Sequence, residues 1–359
     1  MPRLPGYAEL HCRSNFSFLS AASQPEELIA RAQALRYAAL AITDECSLSG
    51  IVRAHVEAER LKFPLIVGAE MQLSVDPKLA GADNKGNKIN NNRNKTRGEV
   101  DDQTHPTPMP PEPRLVLLAE SRRGYGNLVR WISVARQRAP KGQYLALRTD
   151  VEGKVPTAPM LAGLPGCLGL LVPGPGQPFE TVFAHAMWLK TWFGNDRAFI
   201  GVRLHSGPHD ERLLRVVQRV AGFTGLPVVA TGGALMHVRS RKALLDVLCA
   251  TRLKKTVADC GLELQANAEC HLRSRFRLAQ LYKPEWLDNT LAIAGRCRFS
   301  MAELKYEYPR EIVPDGQTPA GWLRHLTQQG AVRRFPAGVT AEVAQKIEDE
   351  LALISRKEY

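Results

Sequence analysis

The feature that most limits what this chain can become is the alternation of short apolar runs with amphipathic segments, from Tyr7 to about Thr231. The runs Ala38 to Thr43, LIVGAEMQL, LVLLAE (Leu115 to Glu120), LGLLVPG, AFIGVRL and LPVVAT are short and apolar, as buried strands are. Pro25 with Glu26 and Glu27 behind it starts a helix, because proline suits a first turn and acids suit the helix dipole. Leu28, Ile29, Ala32 and Leu35 then recur at helical spacing. Further helices are expected over about Ser49 to Leu61, about Tyr125 to Ala135, and ERLLRVVQRVAGF. Strands alternating with helices specify an α/β protein, either a mostly parallel sheet or a barrel.

Two stretches break the rhythm. Residues 74–114, from Ser74 to Arg114, are nearly free of large apolar side chains and rich in Asn, Lys, Gly and Pro. They cannot offset their ordering entropy by burial, so a disordered insertion between two strands is expected. After about Met236 the strand-like runs stop and helical patterns dominate. The 359 residues therefore divide into an α/β domain at 1–238 and a mainly helical, basic segment at 239–359. The last helix has Thr340 as its N-cap and Val343, Ile347, Leu351 and Ile354 on one face. A helix closing so near Tyr359 suggests a truncation.

Forty-eight Lys and Arg against 36 Asp and Glu give +12, a balance suited to a polyanionic partner such as nucleic acid. The excess clusters at Arg239, Arg241 and Lys242, at Arg252, Lys254 and Lys255, and at Arg273, Arg275 and Arg277. Weak, sequence-independent DNA binding is expected there. The seven cysteines contain no C-x-x-C pair, which argues against zinc-finger and thioredoxin-like readings and for a reduced, cytoplasmic protein. No apolar stretch approaches the roughly 20 residues of a membrane span, and the N-terminus has no signal-peptide core. GLPGCLG lacks the Lys-Ser/Thr of a phosphate loop, and no G-x-S-x-G elbow occurs.

Three local groups could hold a metal: Glu9-Leu10-His11-Cys12-Arg13, Thr43-Asp44-Glu45 after the second strand, and Gly68-Ala69-Glu70 near the end of the third. Acids and histidines at strand carboxyl ends converge in α/β barrels and suit zinc or manganese. His237, His205 and His209 are read as framework residues rather than ligands.

The stretch from Tyr7 to Leu73 resembles the start of bacterial C-family DNA polymerase α subunits, and most closely their error-prone, damage-inducible subclass. That start is a polymerase-and-histidinol-phosphatase (PHP) domain. RLVLLAESRRGYGNLVRWIS, GCLGLLVPG, GLPVVATGGALMHVRSRKALLDVL and YPREIVPDGQTPAGWLRHLT continue the resemblance over nearly the whole chain. It implies a distorted (β/α) barrel whose active versions hold a metal cluster. His11 matches the first histidine of the His-x-His motif, where Arg13 replaces the second. Asp44 matches the Asp-His motif, where Glu45 replaces the histidine. Glu70 matches a ligand glutamate, and Cys167 falls where some members have a ligating cysteine. Gly233-Ala234-Leu235 stands in place of a late Asp-x-His motif.

A cation at Arg13 repels a metal. His11, Asp44, Glu45 and Glu70 are therefore expected to pair with Arg13, bidentate to Asp44 or Glu70, in preference to a residual single-metal site. No tightly bound cofactor is expected, with magnesium serving the family's polymerase activity. The resemblance places the palm carboxylates beyond this segment, so no residue of 1–359 is expected to be catalytic. It implies an error-prone polymerase in translesion synthesis and induced mutagenesis, with the polymerase core or other repair proteins as partners. Alternatives are a stand-alone metal-dependent phosphoesterase or exonuclease, and a non-catalytic scaffold.

Overall fold

The computed structural model describes residues 4–74, 112–304 and 313–357. Seven strands form one sheet in chain order: β1 (Ala8–Glu9), β2 (Ala39–Ile42), β3 (Leu65–Gln72), β4 (Arg114–Ala119), β5 (Cys167–Leu171), β6 (Ala198–Arg203) and β7 (Val228–Thr231). Helices α1 (Pro25–Ala34) and α2 (Ile51–Leu61) make the first crossovers. α3 (Arg122–Gln137) and the short α4 (Arg148–Val151) join β4 to β5, and α5 (Phe179–Phe193) and α6 (Asp210–Thr224) make the last two crossovers.

Alternation along the strands sorts side chains into two layers. Leu10, Ala41, Ile66, Val116, Leu118, Leu168 and Leu170 share an inner cluster. Leu40, Ile42, Val67, Leu117, Leu171 and Ile200 pack with the helices. All strand pairs are parallel except β3–β4 and β4–β5. β4 thus runs against its neighbours on both sides. Its first residue, Arg114, therefore lies opposite Gln72, at the end where the parallel strands finish.

The sheet nearly closes into a barrel. Arg13 N–H donates to Ala234 O (2.9 Å) and Ala234 N–H to His11 O (3.0 Å), linking the two edges. Farther down, helix α9 (Pro284–Arg296) covers the gap between β1 and β7. Ala8 N–H donates to Thr290 Oγ1 at 3.0 Å and Asn289 Nδ2 to Val228 O at 2.9 Å, and Ile293 enters the inner cluster. Edge strands left bare would template aggregation, and α9 covers both.

This changes the division expected at residue 238. The first compact unit runs to Leu304, because the barrel edges use α9, and it also includes α7 (Lys242–Leu253) and α8 (Arg275–Leu281). The second unit, Lys305–Tyr359, contains α10 (Pro319–Arg334) and α11 (Ala341–Arg356). Thr340 Oγ1 caps α11 at Val343 N–H, and Val343, Ile347, Leu351 and Ile354 are its half-buried positions.

The expected insertion at 74–114 lies mostly outside the described residues. Its ends belong to the framework: Ser74 N–H donates to Ala146 O, Glu112 pairs with Arg148 at 2.5 Å, and Arg114 is in β4. Among the described residues no helix is long and apolar enough to cross a membrane.

Removing the buried Ile293 side chain (Ile293→Ala) should cost about 2–5 kcal/mol by denaturant unfolding. A fragment of residues 1–304 should unfold cooperatively, whereas one of 1–238 should bind a hydrophobic dye. A well-folded 1–238 fragment would show that α9 is dispensable.

Candidate functional site

The site lies where the parallel strands end, and β4, running the other way, brings its first residue to the same place. A cavity of about 500 Å³ opens there, with His11, Arg13, Glu45, Glu70, Arg114 and Arg203 at its inner end. Glu70 is its hub. Arg13 Nε donates to Glu70 Oε2 at 2.8 Å and Arg13 Nη2 to Oε1, a bidentate pair. His11 Nε2 lies 2.6 Å from Oε2, and Arg114 Nε lies 3.2 Å from Oε1. Arg13 Nη1 also reaches Glu45 Oε2 at 2.9 Å, and Tyr144 donates to Glu45 Oε1.

Electrostatics follow from burial. Burial alone would raise the carboxyl of Glu70, but Arg13, and then His11, hold it well below the usual range. The same partners act in reverse on Arg13, where burial is outweighed by Glu70. Burial lowers His11 despite Glu70, so at neutral pH it is a neutral Nε2–H donor. Its Nδ1 has no partner among the described residues.

Asp44 stands apart from this pair. It accepts from Ser14 N–H (2.8 Å), Ser14 Oγ (2.7 Å) and Ser17 Oγ (2.8 Å), so it ties a loop down; burial, opposed by these bonds, raises its pKa. Cys167 is not in the site either. It starts β5 and faces helix α3, where its thiol donates to Gly124 O at 3.2 Å and burial pushes it up to about 12. Arg13 thus meets Glu70 and Glu45, while Asp44 and Cys167 serve the framework.

Other residues complete the site. Glu9 accepts from Gly232 N–H, His11 N–H and Tyr7 OH, and is buried. Gly233 has φ +54°, and a Cβ there would meet Arg203 Cδ at 2.3 Å. The Arg203 side chain therefore fills the space beside the position where the resemblance puts a late ligand. His205 Nε2 donates to Gly232 O at 2.7 Å, and burial lowers it to about 3. Arg114 was hidden at the edge of the polar tract. Arg203 and His205 carried only the signal of polar residues at a strand's end.

The remaining histidine and the basic clusters have local partners. Ser23 hydroxyl donates to His237 Nδ1 at 2.7 Å, and Glu27 lies 3.7 Å away. Arg239 pairs with Glu269 (2.7 Å), Arg241 with Glu27, and Lys242 with Asp246 (2.6 Å). Arg252, Lys254 and Lys255 are exposed. Arg273 is buried and donates to Leu204 O at 2.7 Å, so it serves packing and not DNA.

A metal does not fit these residues. Two guanidinium groups occupy the ground that ligands would share, and Glu70 already accepts from two donors of Arg13 and from His11. Among the described residues no group of three His, Cys, Asp or Glu is arranged to hold an ion.

The PHP domain matches residues 9–205, more than half of the chain. The chain belongs to the PHP domain family. Relatives named error-prone DNA polymerase match nearly all of it. That of Bordetella parapertussis is 49% identical over 99% of this chain, that of Dechloromonas aromatica 47% over 99%, and that of Ralstonia pickettii 42% over 100%. The chain spans only 30–31% of these relatives' own length. Among solved structures, an amidohydrolase from Chromobacterium violaceum is 16% identical, with a TM-score of 0.41 over 63% of this chain and 86% of that one.

Two outcomes follow for the PHP site. Arg13→Met leaves Glu70 buried with a weaker set of partners and should cost about 3 kcal/mol, with Glu70→Gln in the same chain restoring part of it. Equal stability of Arg13→Met and wild type would show that the pair carries nothing. His11 and His205 have lowered folded pKa values, so the unfolded chain binds protons first as pH falls below about 6.5 and stability drops there. His205→Asn should flatten that slope between pH 6.5 and about 3; an unchanged slope would contradict it.

Proposed function

We propose that this chain is the N-terminal, PHP-containing part of an error-prone DNA polymerase acting in translesion synthesis and damage-induced mutagenesis, and that its PHP site is structural. The observation that carries the structural reading is the buried pairing of Arg13 with Glu70, where an active site would need a free carboxylate for a cation. Support for the polymerase reading comes from relatives so named that match nearly the whole chain. A stand-alone phosphoesterase or exonuclease is disfavoured by Arg13 and by Arg203 beside Gly233. Such polymerases work on DNA in the cytoplasm, and the partners here are the polymerase core, DNA and other translesion or repair proteins. We place the lead into the palm in residues 305–359.

Nucleotidyl transfer needs carboxylates that hold two metals about 4 Å apart. Asp44 and Glu70 are committed to Ser14, Ser17 and Arg13, while Glu348 faces Arg324 on the α10–α11 pair. Magnesium would serve the polymerase core and not this site. Residues 1–359 should carry well under one equivalent of zinc or manganese by elemental analysis. They should not extend a primer with any divalent metal. Two or three tightly held metals, or template-dependent extension lost on mutating this segment, would overturn the assignment.

DNA affinity should be weak, sequence-independent and steeply salt-dependent. Replacing Arg252, Lys254 and Lys255 together by Gln should lower the log–log salt slope by about two to three, the value for three lost phosphate contacts. Binding unchanged between low and about 0.2 M salt would contradict an electrostatic interaction.

A further inference from the structure

We propose that the inner end of the PHP cavity is a metal-free receptor for a phosphate-type oxyanion, with Arg203 as its anchor and Arg114 as its second donor. A carboxylate offers about four lone-pair sites. Those of Glu70 are taken by two donors of Arg13 and by His11, while Arg114 Nε lies 3.2 Å from Glu70 and donates to Gln72 Oε1 at 3.1 Å. Glu45 is taken by Arg13 and Tyr144. Arg203 makes no ion pair with either carboxylate, and no hydrogen-bond partner for its guanidinium is found among the described residues. It projects into the cavity beside Gly233.

Three guanidinium groups thus share two carboxylates, leaving one positive charge in excess in a partly desolvated space. Burial and then Arg114 disfavour the charge on Arg203, Glu70 favours it, and Arg13 again opposes it, as expected of like charges close together. A tetrahedral oxyanion relieves that repulsion and matches the donor fork of arginine. The outer wall carries Asp210, Asp246 and Glu263, with Asp246 already held by Lys242. Three arginines cluster at the inner end, and the exposed Arg252 is the other arginine of the lining, set among these acids, so the inner end takes a small anion or the end of a longer one. Recognition here is binding alone, with no bond made or broken.

The inference rests on the metal-free reading of the site, which elemental analysis tests separately. The experiment uses the whole chain in EDTA, with titration calorimetry and thermal melting. The probes are inorganic phosphate, pyrophosphate, and one oligonucleotide carrying either a 5′-phosphate or a 5′-hydroxyl. Phosphate or pyrophosphate should bind and raise the melting temperature. Arg203→Gln should weaken binding by about 10- to 100-fold, the equivalent of one lost charge-assisted contact, and Arg203→Lys by less. Arg114→Gln provides a second variant should Arg203→Gln not fold. A preference for the 5′-phosphate strand over its hydroxyl twin, abolished by Arg203→Gln, would identify a nucleic-acid end as the source. Equal affinity for the two strands, with phosphate still bound, would identify a free anion. Absence of binding by every probe, binding indifferent to both Arg203 and Arg114, or binding that appears only when manganese is added would overturn the proposal.

Discussion

The buried pairing of Arg13 with Glu70 is the contact on which the upper end of this barrel depends. Glu70 sits on β3, one of the longest and most central strands, and it is 1% exposed. An ionised carboxylate there is untenable without compensating charge. Arg13 provides it, and its backbone also bonds Ala234 across the sheet edges. One residue thus neutralises the hub and helps close the barrel. In a family whose active members place metal ions at this end, a guanidinium does the electrostatic part of that work without offering a Lewis acid.

That substitution has consequences around it. Asp44 accepts three hydrogen bonds from Ser14 and Ser17 and pins the loop before α1. Gly233 leaves room for Arg203, and a side chain there would strike it. The histidines are held neutral, His11 against Glu70 and His205 against a carbonyl. Arg13 and Arg203 are what make the site less able to hold a cation and more cationic itself.

The main elements of the barrel were legible because period and turn chemistry agree along them. Pro25, Glu26 and Glu27 do start a helix, and the apolar runs from Ala38 onward are strands. Helix α5 was not legible: FETVFAHAMWLKTWF is apolar on nearly every side, so it shows no stripe from which a period can be read. The reversal of β4 was not legible either, because strand direction is a property of pairing that periodicity does not encode. The role of α9 was hidden because covering a sheet edge is a tertiary event. In the site, Arg13 with Glu70 and Glu45 could be foreseen from charge complementarity. Asp44 and Cys167 could not, since partners distant in sequence, two serines and the Gly124 carbonyl, decide where each side chain points.

The central claim is that Arg13, and no metal, keeps Glu70 ionised. Carbon-13 NMR of the glutamate carboxyl groups, assigned by Glu70→Gln, measures this directly as a function of pH with and without zinc. The account requires Glu70 to titrate well below the ordinary glutamate range, and to do so identically when zinc is added. A Glu70 resonance that titrates at or above the ordinary value of about 4.3, or one that moves with zinc at neutral pH, would contradict it.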